Sequence, residues 1–388
     1  MLIHRQLTDL VRQRARKLPV ITITGPRQSG KTTLAKLIFP KYNFVSLENT
    51  DTRSYAIKDP RGFLDEYGPR LIIDEAQYVP KLFSHIQHAV DESGKVGQFV
   101  LTGSQNFKLT ASISQSLAGR AAAFTLMPFT VNELREAGKL KGNLWQNIHR
   151  GFYPRLFSRG LKPNEWLPDY RRDYVERDVR NIKNIGNLHS FQQFMQLCAS
   201  RCGQLVNFSN IGNDIGVSYQ TIKSWVSVLE ASYIIFLLPT YHRNFNKRIT
   251  KTPKLYFYDS GLLCSLLEFE TMKELQRSPL RGPVFENFIV AEFFKNAFHK
   301  NENRSFYYWR DNTGNEIDLA FEKNNRIHLY EMKSSATMDD SLLHNLYLFE
   351  KFDTKLPVNK TLIYGGSESQ QRKEIRVLPW NHNDVFKW

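Results

Sequence analysis

The stretch Gly25-Pro26-Arg27-Gln28-Ser29-Gly30-Lys31-Thr32 constrains this chain more than any other. It has two glycines separated by four residues, the second followed by Lys and Thr, and its surroundings suit it. Val20-Ile-Thr-Ile-Thr24 before it alternates β-branched residues as a strand does, and Lys31 to Phe39 after it has helical spacing. A glycine-rich turn between strand and helix aims backbone N–H groups and the positive helix end at one point, which suits phosphate. Gly25 and Gly30 allow the turn and close backbone approach, while Pro26, Arg27, Gln28 and Ser29 supply the loop. Lys31 reaches the outer phosphates, Thr32 offers its hydroxyl to Mg²⁺, and Thr33 extends the helix start. The segment is therefore a candidate site for ATP and Mg²⁺.

The chain around this loop reads as an α/β arrangement: a P-loop parallel sheet with helices on both faces. Strand-like runs occur at 43–47, 70–74, 98–102 and near 121–127, with helical segments around 82–93 and 109–120 between them. This first domain spans residues 1–130 and opens with an amphipathic basic helix at 4–18. Its run Leu71-Ile-Ile-Asp74-Glu75 puts two carboxylates at the strand end where parallel sheets bind ligands. Asp74 is expected in the Mg²⁺ shell and Glu75 as the base that polarises water, which argues for hydrolysis rather than binding alone. Ser104, just past the strand 98–102, is a candidate sensor of the terminal phosphate. Arg120, at a helix end, is expected either to stabilise phosphoryl-transfer charge, in cis or across a subunit interface, or to form a surface salt bridge.

Residues 131–200 read as a helical connector or lid. Its charge-dense run 171–180 is expected to form a solvated, ion-paired face. Residues 201–277 read as a winged helix: a helix at 208–215, a turn at Gly216-Val-Ser218, a helix at 221–230, then strands at 234–238 and 254–258. Tyr219, Gln220, Lys223 and Ser224 on the second helix are candidate DNA contacts, although such modules also dock proteins. The intervening segment carries Arg243, Lys247, Arg248, Lys251 and Lys254 without an acid, a candidate wing that tracks phosphates.

In the last segment, 278–388, Asp318 and then Glu331 and Lys333 fall on two strand-like runs, after a helix that carries Glu286. Side chains at i and i+2 share a strand face. Asp318 and Glu331 are expected to bind Mg²⁺ jointly, with Lys333 positioning water and Glu286 as a further carboxylate. The set resembles the PD-(D/E)xK nuclease arrangement; the alternative is an inert fold with solvated charges.

Lys and Arg outnumber Asp and Glu by 53 to 38, for a formal charge of +15, which favours an anionic partner, nucleic acid first. Cys198, Cys202 and Cys264 lack the spacing of a disulfide scaffold or a zinc site and suit a reducing cytoplasm. No apolar run approaches a membrane span. GPRQSGKTTLAK, LIIDEAQ, LTGSQN and SLAGR, with GFYPRLF, YVERDVRNI, KLYFYDSGLL, FENFIVAEFF, YYWRD, EIDLAF and YEMKSS, resemble the prokaryotic AAA-family ATPases that carry a C-terminal domain of unknown function. One departure from the wider class is that no second sensor arginine is apparent in a small lid after the ATPase core, which tells against a ring-shaped motor. The reading is an ATPase whose nucleotide state controls a winged-helix and nuclease-like half, with DNA as partner and a homo-oligomer possible. The alternatives are a non-hydrolysing ATP-gated regulator docking a protein partner, and an ATP-controlled nuclease.

Overall fold

A computed structural model describes residues 2–104, 116–176, 187–241, 252–349 and 356–387. Its first unit is a five-stranded, all-parallel sheet of β1 (Val20–Thr24), β2 (Asn43–Ser46), β3 (Leu71–Asp74), β4 (Phe99–Gly103) and β5 (Ala121–Thr125) in the order β2-β3-β4-β1-β5. Register explains why the central strands β1, β3 and β4 are buried throughout. Val20, Leu71 and Phe99 align on one face and pack with Phe63, Phe83 and Ile86, whereas Ile21, Ile72 and Val100 align on the other with Leu7, Val11 and Leu34. A sheet buried on both faces needs apolar residues at consecutive positions.

The helix Lys31–Ile38 follows β1, and Leu82–Ser93 precedes β4. Most of the expected helix at 109–120 lies outside the described residues. Two helices that the pattern does not announce, Thr50–Lys58 and Pro60–Tyr67, fill the β2–β3 connection. They are set by their ends: Asn49 accepts from the Asp51 and Thr52 N–H groups, and Asp59 accepts from Gly62 N–H, with Pro60 at the first helical position.

Beyond Met127 the chain turns helical, with Val131–Glu136, Leu144–Arg150, Pro154–Ser158, Pro163–Tyr170, a π-helical turn at Arg171–Glu176 and Leu188–Ser200. In the charge-dense run, exposed Arg172 pairs with Asp169 and Asp173; residues 177–180 of that run lie outside the described residues. The helices Phe208–Ile215 and Tyr219–Ala231 are joined through Gly216, whose φ of 70° suits glycine, and through Ser218, which caps the second by accepting from Thr221 N–H. β6 (Ile235–Leu238) then pairs antiparallel with β7 (Lys254–Phe257).

The helix Arg281–His299 precedes a six-stranded sheet of β8 (Tyr307–Arg310), β9 (Glu316–Lys323), β10 (Arg326–Lys333), β11 (Val358–Tyr364), β12 (Gln370–Arg372) and β13 (Ile375–Pro379), ordered β12-β13-β11-β10-β9-β8. A single apolar cluster runs from Met127 and Tyr153 through Phe194, Trp225 and Tyr256 to Phe288 and Phe386. The connector, the helix pair and the 281–299 helix thus share one core. Among the described residues no helix is long and apolar enough to cross a membrane.

Candidate functional site

The strands β1, β3 and β4 end on one edge of the first sheet, and the loop Gly25–Gly30 closes over it. Gly25 has φ 142° and would place a Cβ 2.2 Å from the Leu126 carbonyl oxygen, so only glycine fits there. Gly30, at φ 95°, caps the following helix without a side-chain hydrogen bond, which puts no capping side chain over its start. The Ser29 hydroxyl is buried with no hydrogen-bond partner among the described residues. Lys31 Nζ donates to the carbonyls of Gly25 (3.1 Å) and Pro26 (2.8 Å), which holds the ammonium over the loop.

Across the loop, Thr32 Oγ1 donates to Asp74 Oδ1 at 2.9 Å, and Thr102 hydrogen-bonds the same oxygen. Glu75 takes a left-handed backbone (φ 54°), uncommon outside glycine, which turns it out of the strand. Its Oε2 accepts from Gln77 Nε2 (2.5 Å) and from Ser104 Oγ (3.1 Å). Ser104 therefore bonds the carboxylate beside the expected site of chemistry. A cavity of about 530 Å³ is lined by Arg27, Gln28, Gly30, Lys31, Thr32, Thr33, Glu48, Asp74 and Glu75, and on its far wall by Pro154, Arg155, Ser158 and Arg159. It meets a smaller apolar hollow of about 150 Å³ at Gly30, Thr33, Pro154 and Ser158, and Leu2, Ile3, Leu34, Leu37, Phe129 and Phe157 line that hollow.

Arg155 and Arg159 are site residues that the sequence pattern does not reveal. They sit at i and i+4 on and just after the helix Pro154–Ser158, and among the described residues neither side chain has an ion-pair or hydrogen-bond partner. Two arginines from the segment after the first sheet thus line the cavity. The motif GFYPRLF contains Arg155, but nothing local says that the chain folds back to face the loop.

Arg120 is not part of this constellation. Its carbonyl accepts from Val20 N–H at the start of β1, the sheet edge opposite the loop, roughly 16 Å away along a five-residue strand. Its guanidinium makes two bonds to Asp91, at 2.6 and 2.9 Å, and holds that carboxyl below its ordinary pKa. Arg120 thus forms a surface salt bridge away from the loop.

The structure also brings Glu286, Asp318, Glu331 and Lys333 together, where β9 begins and β10 ends. Asp318 Oδ2 accepts from Met332 N–H at 2.7 Å, Lys333 Nζ donates to Glu331 Oε1 at 2.6 Å, and Asn345 Nδ2 donates to the same oxygen at 3.2 Å. Glu331 Oε2 is buried without a partner among the described residues. Burial, then Glu331 and Glu286, push the Asp318 carboxyl well above the usual range, and burial raises Glu331. Among the described residues no group of three or more Asp, Glu, His or Cys side chains is arranged to hold a metal ion, and the acidic cluster is met by lysines.

Lys254 is one of those lysines, which corrects its assignment to a phosphate-tracking wing. Its side chain is only 3% exposed, and its ammonium lies 3.1 Å from Glu286 Oε1 and also pairs with Glu316. Arg243, Lys247, Arg248 and Lys251 lie outside the described residues. On the helix Tyr219–Ala231, Tyr219, Gln220 and Lys223 are exposed and Ser224 is half-buried.

Fold and site together are similar to those of AAA-like P-loop ATPases joined to a C-terminal domain of unknown function. Residues 17–135 match the AAA domain family, 141–273 a domain of unknown function (DUF8612) and 281–382 another (DUF4143). The chain is 28% identical over 338 residues to the uncharacterized protein Rv2008c of Mycobacterium tuberculosis, covering 86% of this chain and 74% of that one, and equally so to Mb2031c of Mycobacterium bovis. Among solved structures, it is similar to the Walker-type ATPase PABY2304 of Pyrococcus abyssi (13% identity, TM-score 0.45, 68% of this chain and 96% of that one). It is also similar to the RuvB Holliday junction branch migration motor of Thermotoga maritima (20% identity, TM-score 0.31, 60% and 86%).

Proposed function

We propose that this protein binds ATP with Mg²⁺ between Gly25–Thr33 and the helix Pro154–Ser158, hydrolyses it, and uses nucleotide state to control its C-terminal half. The observation that carries this reading is the pairing of Thr32 Oγ1 with Asp74 Oδ1 beside Glu75, on the edge of the cavity of about 530 Å³. These oxygens and the open helix start fit a magnesium–triphosphate. When bound, Mg²⁺ neutralises charge on the outer phosphate oxygens. Lys31 turns from the loop carbonyls to those phosphates, and Asp74 orients Thr32. Glu75 takes a proton from the attacking water, with Ser104 and Gln77 holding its carboxylate. Arg155 and Arg159 close the phosphate side, and the apolar hollow beside Gly30 receives the base. Arg120 reaches a nucleotide only in trans, in a homo-oligomer.

Purified protein with Mg²⁺-ATP is expected to release phosphate, and Glu75→Gln to bind ATP normally with turnover lowered at least about a hundredfold. Binding by the wild type without phosphate release would overturn hydrolysis and favour the ATP-gated regulator.

A second reading, that the C-terminal half is a winged helix with a metal-dependent nuclease-like site acting on DNA, draws on the Glu331 oxygen that has no partner among the described residues, beside Asp318 and Lys333. Two buried carboxylates whose ionisation is suppressed suit a divalent cation, which would replace protons there. DNA cleavage in Mg²⁺ or Mn²⁺ that persists in Glu331→Ala would sink this reading.

A further inference from the structure

The nucleotide loop and the long C-terminal helix lie far apart in sequence, yet one buried polar chain joins them. Arg5, only 5% exposed, divides its guanidinium among three elements. Nη1 donates to the carbonyl of Ser29 in the nucleotide loop (2.9 Å), Nε to Glu133 Oε1 (3.0 Å) and Nη2 to the carbonyl of Met127 (2.6 Å). Glu133 also accepts from the Gln6 and Thr130 N–H groups, so its buried charge is fully engaged. Met127 N–H in turn donates to His299 Nε2 at 3.1 Å, which leaves the His299 proton on Nδ1, facing Glu133 Oε1 at 3.6 Å.

The helix Arg281–His299 grips the exit of β5 along its length. His299 bonds Met127 N–H, Lys295 bonds the Phe129 carbonyl (2.9 Å) and Glu292 bonds Val131 N–H (2.8 Å). Alternate residues of an extended segment are thus held by one face of a helix. The same segment abuts the nucleotide loop, since Leu126 N–H donates to the Thr24 carbonyl and the Leu126 carbonyl packs on Gly25. Nearer its start, the helix carries Glu286 into the carboxylate cluster.

We propose that Arg5, with Glu133 and His299, is the positioning device through which nucleotide on the loop is felt by the helix Arg281–His299 and so by the C-terminal carboxylate cluster. This deepens, and rests on, the reading of Gly25–Thr33 as an ATP site. The physical reason is that a shift of the Ser29 carbonyl cannot be absorbed locally. The guanidinium is planar and buried, its hydrogen bonds go to groups on separate elements, and an unpaired charge there is costly. Coupling is reciprocal, so disturbing the helix end must also change nucleotide affinity.

The test is hydrogen exchange on the full chain with and without a non-hydrolysable ATP analogue and Mg²⁺. In the wild type, amides of 25–32 and of 281–299 are both expected to slow, the helix by at least about fivefold. Slowing confined to the loop overturns the coupling and leaves the ATP site standing, whereas absence of any slowing overturns the ATP site itself. Arg5→Lys keeps the charge but loses the fork, and His299→Gln keeps an acceptor for Met127 N–H but loses the Nδ1 contact to Glu133. Each is expected to keep the loop response and lose most of the helix response. If Arg5→Lys does not fold, His299→Gln decides alone. A helix response of wild-type size in the folded variants overturns the assignment to these residues.

Discussion

Arg155 and Arg159 raise a question at the scale of single residues, because cations that line a cavity without a counter-ion need an anion from elsewhere. Arg155 is half-buried on the cavity wall and Arg159 is exposed at its rim. Charge-assisted bonds from a partly desolvated guanidinium contribute about 1.5–3 kcal/mol, whereas rim charges are screened. Arg155→Ala is therefore expected to lower kcat/KM for ATP by about 10- to 100-fold, and Arg159→Ala by less than about fivefold. Steady-state phosphate release checks both. Thermal stability should stay nearly unchanged, since neither side chain bonds protein among the described residues. Glu75 was legible from its place after an apolar run, and its left-handed backbone was not. Arg155 and Arg159 were invisible for a different reason: their place on the cavity wall depends on a fold-back that local pattern does not encode.

At the scale of elements, the docking of the helix Arg281–His299 makes a prediction about pH. Burial is the main cause that pushes the His299 pKa down to about 4, with Arg5 and Lys295 adding to it and Glu133 opposing. The folded value lies below the unfolded one of about 6.5, so between them the unfolded chain holds the extra proton. Stability is therefore complete above about pH 6.5 and is lost as pH falls toward 4, by up to about 3 kcal/mol from this group. His299→Gln has no such proton to bind. Its denaturation midpoint should fall less than that of the wild type over the same range, and parallel curves would contradict the buried neutral imidazole. Elements were legible where burial is two-sided: β3 and β4 fall where consecutive apolar residues stand, and β1 where β-branched residues do. The helices Thr50–Lys58 and Pro60–Tyr67 were not, because the first buries only Ala56 and the second only Phe63 and Leu64, so neither shows a clear apolar stripe.

For the whole molecule, the charge of +15 has to be divided between structure and surface. Lys254 shows why composition misleads here: in sequence it closes a basic run, yet in space it neutralises Glu286 and Glu316, which come from other elements. Lys254→Met leaves those carboxylates without their counter-charge and is expected to cost about 3 kcal/mol of stability, read as a lowered denaturation midpoint. It should not change the salt dependence of DNA binding, because a buried ammonium displaces no counterions from DNA. Lys223 is different, standing exposed on the helix Tyr219–Ala231 with Tyr219 and Gln220 on the same side. If that face meets a phosphate backbone, Lys223→Ala lowers the slope of log K against log salt by about one and leaves stability within about 0.5 kcal/mol. Titrations of labelled duplex at several salt concentrations separate the cases. A slope reduced by Lys254→Met but untouched by Lys223→Ala would reverse this division of charge. A wild-type slope near zero would remove DNA as the partner and leave the exposed face to a protein.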